Sequence, residues 1–482
     1  MYIIFKHVGS IRPLKYMRMK TNKSYVIFLA MVAALGGFLF GYDTAVISGT
    51  ITQVSNQFGL DSIQQGWYVG CALFGSIVGV SIAGLLSDHF GRKNTMFFSA
   101  ILFSVSAAGC ALAAGISDLV AYRIIGGVGI GVASIVSPIY ISEVAIARYR
   151  GSLVSFYQLA ITIGFLGAYL VNYWLLNLSL QGEWNNPVLN KIFVTEVWRG
   201  MLGMETFPAV MFFIMIFFIP ESPRWLILKN KPEKSFRIFK RIYHDDKAAN
   251  EQVMQTQQAV STEKKSQWRV LLEPGILKAV WIGVAIAMLG QFMGVNAVLY
   301  YGPTIFQESG LSSGDSLFYQ VLVGLVNAGT TVIALLIIDK VGRKQLVYWG
   351  VSGMIISLIC IAIYFMYGKA LGLTPVVLLV FFLLYIFSCA ISICAVIFVL
   401  LSEMYPTRVR GLAMSIAGFS LWVGTYLVGQ LTPWLLENLT PAGTFLLFAA
   451  MCLPYIWIIW KKVPETTGKT LEEIEMIWTK KS

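Results

Sequence analysis

Three ionisable side chains stand inside long apolar runs of this 482-residue chain: Asp43, Arg123 and Glu205. A charge in that setting is costly, because only another charge or a hydrogen bond can replace the missing water. A carboxylate beside a permanently charged guanidinium stays ionised. Withdrawing that partner, or drying the site, favours the protonated acid. Such a set can carry a proton; the plainer alternative is a static ion pair that orients two helices. A second group is uncharged: Gln158, Gln291, Asn296 and Asn327, with Trp422, again inside apolar runs. Buried amides facing lipid would be expensive, so they should point inward. Each can serve a helix–helix hydrogen bond as well as a polar ligand. Neither a nucleophile–base set nor a phosphate-cradling loop accompanies these residues, which argues against an enzyme. His7, His89 and His244 lie at or beyond the ends of the apolar runs. The six cysteines sit within the runs and lack metal-site spacing with histidine, so no metal or cofactor is expected. Gly126-Gly-Val-Gly-Ile-Gly131 has a faint dinucleotide-loop look, but its place inside an apolar run points to close helix packing.

The elements that position these residues follow from composition. Hydrophobic residues make up 57% of the chain and charged residues 12%, with a mean hydropathy of +0.71. A soluble chain carries about 25% charge. The apolar residues come in runs of about 20, the length a helix needs to cross a bilayer core. β-barrels give short alternating segments instead, so the spans must be helices with internally paired backbones. Twelve begin near Tyr25, Gly66, Asn94, Leu119, Gly151, Trp198, Ile276, Ser316, Leu346, Pro375, Gly411 and Ala442. Alternating span direction then places Asp43, Arg123 and Glu205 within roughly 10 Å of one boundary of the apolar core. The segment from Met1 to Lys20 has no apolar core with a cleavage site, so it is not a signal peptide.

The net charge of +12 invites a nucleic-acid reading, but its placement argues against one. Of the 36 Lys and Arg, all but Arg123, Lys191, Arg199 and Lys369 fall on or at the edge of one side of the spans. That asymmetry predicts a multi-pass protein of the cell (inner) membrane with both termini cytoplasmic. The chain also repeats itself at a spacing of about 250 residues. Gly84-Leu-Leu-Ser-Asp88-His-Phe-Gly91-Arg92-Lys93 recurs as Leu335-Leu-Ile-Ile-Asp339-Lys-Val-Gly342-Arg343-Lys344. Glu143 to Gly151 recurs as Glu403 to Gly411, and Pro220-Glu221-Ser222 as Pro464-Glu465-Thr466. The reading is an all-α membrane protein with twelve spans in two six-helix halves. Its divisions are a tail over 1–24, a first half over 25–219, a helical linker over 220–275, a second half over 276–461 and a tail over 462–482. In the linker, Pro232 suits a first helical turn, and Phe236, Phe239 and Tyr243 fall at helical spacing.

The repeated motifs gather charge at the basic face. Glycine permits a sharp reversal between spans. Asp88, Arg92, Glu143, Arg150, Glu221 and Arg224 of the first half, with Asp339, Arg343, Glu403 and Arg410 of the second, can form an ion-pair lattice between the halves. Partly buried pairs of this kind suit a device with two states.

These motifs make the chain similar to the sugar porter family of the major facilitator superfamily. The matching residues are Gly36-Gly-Phe-Leu-Phe-Gly-Tyr-Asp43-Thr-Ala-Val-Ile-Ser-Gly49, Arg123-Ile-Ile-Gly-Gly127, Pro220-Glu-Ser-Pro-Arg-Trp-Leu226, Gly294-Val-Asn296-Ala-Val-Leu-Tyr-Tyr301 and Pro464-Glu-Thr-Thr-Gly-Lys-Thr470. The resemblance runs from about Tyr25 to Trp478 and within the family looks most like bacterial proton-coupled pentose and hexose symporters; facilitative glucose transporters share the plan. It implies import of a monosaccharide by alternating access, with Asp43 binding the coupling proton, Arg123 and Glu205 as its partners, and a monomer as the working unit. It implies sugar contacts at Phe40, Gln158, Gln291, Asn296, Asn327, Phe398 and Trp422, a pocket or gate position at Tyr300, and a helix break at Gly294. Three departures stand against the pattern. Gly290-Gln291 replaces two glutamines, Cys394-Ala395 replaces Gly-Pro with Phe398 in place of a tryptophan, and Leu421 replaces a glutamine. They predict a changed sugar preference and put a bend in the tenth span in doubt. Facilitated diffusion, carriage of a polyol or cyclitol, and a non-transporting membrane sugar sensor remain alternatives.

Overall fold

The computed structural model describes residues 21–146, 149–182, 185–262, 270–406 and 409–464. Residues 1–20 and 465–482 of the two tails, Arg148, Arg408 and the side chain of Asp339 lie outside the described residues. Twelve helices among those residues are long and apolar enough to cross a membrane, each starting within four residues of its expected position. Six precede the linker: Lys23–Phe58, Ser62–Phe90, Arg92–Leu112, Ile116–Val144, Arg150–Ser179 and Val197–Ile216. Six follow it: Pro274–Glu308, Ser313–Val341, Arg343–Tyr367, Pro375–Met404, Arg410–Asn438 and Thr440–Lys461. Outward-facing Leu85, Phe207, Trp281, Trp349 and Trp460 stay exposed. In water such a surface would aggregate; in a bilayer it is the lipid face.

The repeated Gly-Arg-Lys motifs make single-residue connections. Gly91 and Gly342 take φ of 95° and 97°, so one helix ends at the preceding residue and the next starts at the following arginine. Inside the first half, the glycines of Gly126–Gly131 meet the second span so closely that a β-carbon on Gly127 or Gly131 would strike the carbonyls of Ala72 and Ser76. Helix packing explains this run.

Three spans are interrupted. The sixth breaks at Met204–Glu205, between Val197–Gly203 and Thr206–Ile216. The seventh breaks at Gly294 (φ 89°), between Pro274–Phe292 and Val295–Glu308, and a β-carbon there would run into Phe448. The tenth contains a π-helical turn at Ala390–Cys394 between Pro375–Cys389 and Ala395–Met404. The tenth span thus keeps an irregularity without the Gly-Pro pair.

The linker forms helices Pro223–Leu228, Pro232–Tyr243 and Asp246–Thr262. Phe239, Ile242 and Tyr243 turn inward, as their spacing requires. The linker docks on the first half through Asn22 N–H to the Ile242 carbonyl (2.8 Å), Arg241 over the Tyr25 ring (4.4 Å) and Trp225 Nε1 to the Asp88 carbonyl (3.0 Å). Between the halves, the second span lies along the eleventh, the fifth along the eighth, and the first along the later part of the seventh.

Candidate functional site

The first and fourth spans bring Asp43 and Arg123 into a buried ion pair. Arg123 Nη1 also donates to the Asp43 main-chain oxygen at 3.3 Å. Glu205, 2% exposed, sits at the break in the sixth span, within electrostatic reach of Asp43, Arg123 and Tyr42. The carboxylate of Asp43 occupies space that Gly126 leaves open: a β-carbon there would stand 2.9 Å from Oδ2. Asp43 Oδ2, Arg123 Nε, Glu205 Oε1 and the Tyr42 hydroxyl are buried without a hydrogen-bond partner among the described residues. Buried, incompletely paired polar groups of this sort are costly in a lasting structure and common where charge must change.

A second cluster forms around the break in the seventh span. Asn296 Nδ2 donates to Gln291 Oε1 at 2.7 Å, and Thr425 Oγ1 of the eleventh span donates to the same oxygen at 3.1 Å. The left-handed turn at Gly294 lets two residues five apart in sequence face each other. Trp422, on the Thr425 face of its helix, meets Phe40 of the first span with ring centroids 5.3 Å apart and planes at 38°. This aromatic pair joins the two halves. Tyr300 lies one turn beyond Asn296, buried. Gln158, Asn327, the Tyr300 hydroxyl and the Trp422 ring N–H make no side-chain hydrogen bond among the described residues, so four spans carry polar groups left for another partner. No hydrogen bond or ring contact joins Gln158, Asn327 or Phe398 to the cluster; Phe398 is 47% exposed.

At the basic end the first half builds a dense network. Arg92 grips Glu143 with two hydrogen bonds (3.0 and 3.2 Å) and reaches Asp88 at 3.2 Å, and the Ser222 hydroxyl donates to Glu143. Glu221 accepts the main-chain N–H groups of Arg92 (2.9 Å), Lys93 (3.1 Å) and Ser222 (2.7 Å), capping the third span where the helix dipole favours an anion. Burial pushes the Glu221 carboxyl above its usual range despite those donors. In the second half Arg343 pairs with Glu403 at 3.0 Å, and Arg410 Nη2 approaches the Tyr405 carbonyl at 3.5 Å. Arg224 is half-buried in the first linker helix, and Arg150 is exposed. Among the described residues, each of these ion pairs closes within one half in this conformation. The bonds that cross between halves stand elsewhere: Thr52 to Gln307 (3.3 Å), Tyr169 to the Leu299 carbonyl (2.8 Å) and Gln430 to the Ile63 carbonyl (3.0 Å).

Residues 29–478 match the family described as "Sugar (and other) transporter". The chain belongs to this sugar transporter family. It is 36% identical to the arabinose-proton symporter of Bacillus subtilis, over 95% of this chain and 96% of the relative. It is also 36% identical to the D-xylose-proton symporter of Escherichia coli, over 96% and 97%. Among solved structures it matches the inward open conformation of the xylose transporter XylE from E. coli, with a TM-score of 0.81 and 35% identity over 94% of this chain and 100% of that one. The same symporter bound to 6-bromo-6-deoxy-D-glucose matches at 0.78, with 36% identity over 95% and 100%.

Within this transporter-family fold, Asp43, Arg123 and Glu205 come together as their depth in the spans requires. Gln291, Asn296, Tyr300, Trp422 and Phe40 gather around the seventh-span break. Thr425, Tyr42 and Ser222 were not singled out in the sequence. Thr425 had a signal, since it falls three residues after Trp422 and shares its helical face. Tyr42 is Asp43's neighbour, but its approach to Glu205 depends on the first and sixth spans meeting. The role of Ser222 depends on a chain reversal that nothing local announces.

Proposed function

We propose that the chain imports a monosaccharide, of pentose or hexose type, together with a proton, by alternating access. The observation that carries this reading is the pairing of a buried Asp43–Arg123–Glu205 cluster with an amide cluster at the seventh-span break and an aromatic pair between the halves. One guanidinium can balance one carboxylate in a dry site, so the second carboxylate must be protonated or solvated. Asp43 is the proton carrier, Arg123 sets its charge preference and Glu205 is the second acceptor. Gln158, Gln291, Asn296 and Asn327 hydrogen-bond the sugar hydroxyls, with Tyr300 beside them. Phe40, Phe398 and Trp422 cover the apolar face of the ring.

The basic end faces the cytoplasm, with both termini, in the cell membrane, and the working unit is a monomer that performs no covalent chemistry on its substrate. Bonds between halves at the opposite end, from Thr52 to Gln307 and from Gln430 to the Ile63 carbonyl, support an inward-facing state. In the outward-facing state the two basic networks, with Arg150 and Arg224 at their edge, approach and hold that end shut. Purified protein in proteoliposomes, offered a panel of pentoses, hexoses, deoxy-sugars and polyols with and without an inward proton gradient, tests the reading. Uphill uptake of a monosaccharide that collapses with a protonophore is the expected result. Gradient-independent equilibration would leave a uniporter, and no uptake of any sugar would overturn the reading.

A further inference from the structure

The tenth span holds a thiol pair that the transport reading does not use. Cys389 and Cys394 are five residues apart, which in a regular α-helix would point them about 140° away from each other. The π turn at Ala390–Cys394 closes i to i+5 instead and brings the two Sγ atoms to 3.6 Å. Packing holds that turn. Ser388 and Ser392 press against Gly353 and Gly350 of the ninth span, and the Ser392 hydroxyl donates to the Ser388 carbonyl at 2.6 Å. Below the turn, Tyr385 donates to the Met293 carbonyl at 2.8 Å, beside the break in the seventh span. Cys389 is buried, Cys394 is partly exposed and Phe398 one turn on is open, so the pair has an entry side.

Two thiols at this separation, and no group of three or more His, Cys, Asp or Glu side chains among the described residues that could hold a metal ion, select the ligand. A structural zinc ion takes four protein ligands. Trivalent arsenic that already carries one carbon substituent needs only two more. We propose that Cys389 and Cys394 form a bidentate dithiol site for a trivalent organoarsenical, R–As(OH)2. The part-exposed Cys394 sulfur attacks first, and Cys389 then closes the chelate in an intramolecular step favoured by its fixed proximity. Two As–S bonds form and two As–O bonds break. Each thiol proton leaves on a hydroxide as water, and no atom changes oxidation state. The remaining cysteines, Cys71, Cys110, Cys360 and Cys452, have no Sγ partner of this kind among the described residues.

The test uses the full chain in detergent with phenylarsine oxide, which hydrates to the dihydroxy form. Intact mass should rise by one arsenical with loss of two waters, and the count of maleimide-reactive thiols after unfolding should fall from six to four. A dithiol such as 2,3-dimercaptopropanol should strip the adduct, while a monothiol wash should leave it. Mapping the protected cysteines in the wild-type chain should return Cys389 and Cys394, and Cys389→Ala or Cys394→Ala should lose the adduct. Protection of any other pair, an adduct that survives in either variant, or no adduct on the wild-type chain would overturn the assignment. None of these readouts depends on transport, so the result stands apart from the identity of the solute.

Discussion

The two halves descend from one repeated pattern, yet they bury opposite kinds of polarity. The first half holds its charged residues at the sixth-span break and between the first and fourth spans, packed closely enough that a glycine makes room for a carboxylate. The second half has no ionisable cluster of that kind among the described spans; Gln291 and Asn296 meet where the seventh span breaks. The basic ends differ in the same sense. The Arg92 and Glu143 side chains are 8% and 7% exposed, against 13% and 23% for Arg343 and Glu403. A buried charge needs a rigid, complementary partner, since its desolvation cost is large and its pairing energy falls steeply with distance. A neutral ligand with many hydroxyls needs donors and acceptors that can be re-aimed, and a broken helix supplies them by freeing backbone and turning side chains.

That contrast can be broken or sharpened by experiment. Arg123→Ala should be the most damaging change, because it leaves Asp43 buried without its cation. A loss of about 3–5 kcal/mol is expected, read as a fall in the thermal midpoint of the detergent-solubilised protein. The double variant Asp43→Asn with Arg123→Gln should recover most of that stability and remain uncoupled. If the double variant is as unstable as the single one, the pair is not the source of the loss. Next in size is Gln291→Ala, which strands the Asn296 amide; Thr425 keeps its bond to the Leu421 carbonyl at 2.9 Å. The cost of about 1–3 kcal/mol should appear as a KM for sugar raised on the order of tenfold to a hundredfold, with the accumulation ratio unchanged. A lowered accumulation ratio would erase the division of labour between the halves.

Asp43→Asn should do the converse. One coupled proton and one pH unit support about tenfold accumulation; the variant should fall to a ratio of one while sugar exchange between the two sides persists at a similar KM. The smallest effect belongs to Glu221. Its carboxyl titrates above the ordinary glutamate value of 4.5 because it is buried. The folded state therefore binds this proton more tightly than the unfolded chain, and the stabilisation is present at low pH and is lost as pH rises through the folded value. Lowering pH from 7 toward 4.5 should raise the thermal midpoint of the wild type relative to Glu221→Gln, which does not titrate there. An identical pH profile for the two proteins would mean that Glu221 is not strained by its burial.

Much of this was legible before any coordinates. Runs of apolar residues of bilayer length forced the twelve helices, and the repeated Gly-Arg-Lys motifs located two of the turns between them, which the structure tightens to a single glycine each. Depth counting brought Asp43 and Arg123 to one level, because a helix rises by a constant amount per residue. What failed to register was partner choice. Arg92 and Glu143 are visible as a pair of charges on one face, but nothing in the sequence says that they close on each other and not across to the other half. Thr425 reaches Gln291 from another span, and the Ser222 hydroxyl reaches Glu143 only after the chain reverses.

The sequence by itself determined the architecture, the membrane setting and the inventory of polar groups, because these depend on hydrophobicity and on spacing along single helices. Only the tertiary structure decided which half each ion pair belongs to, that Gln291 is shared by two donors, and that a π turn sets Cys389 against Cys394. Those outcomes depend on how helices break and which faces meet. Small differences in packing set them, and they cost too little along any one helix to leave a local mark.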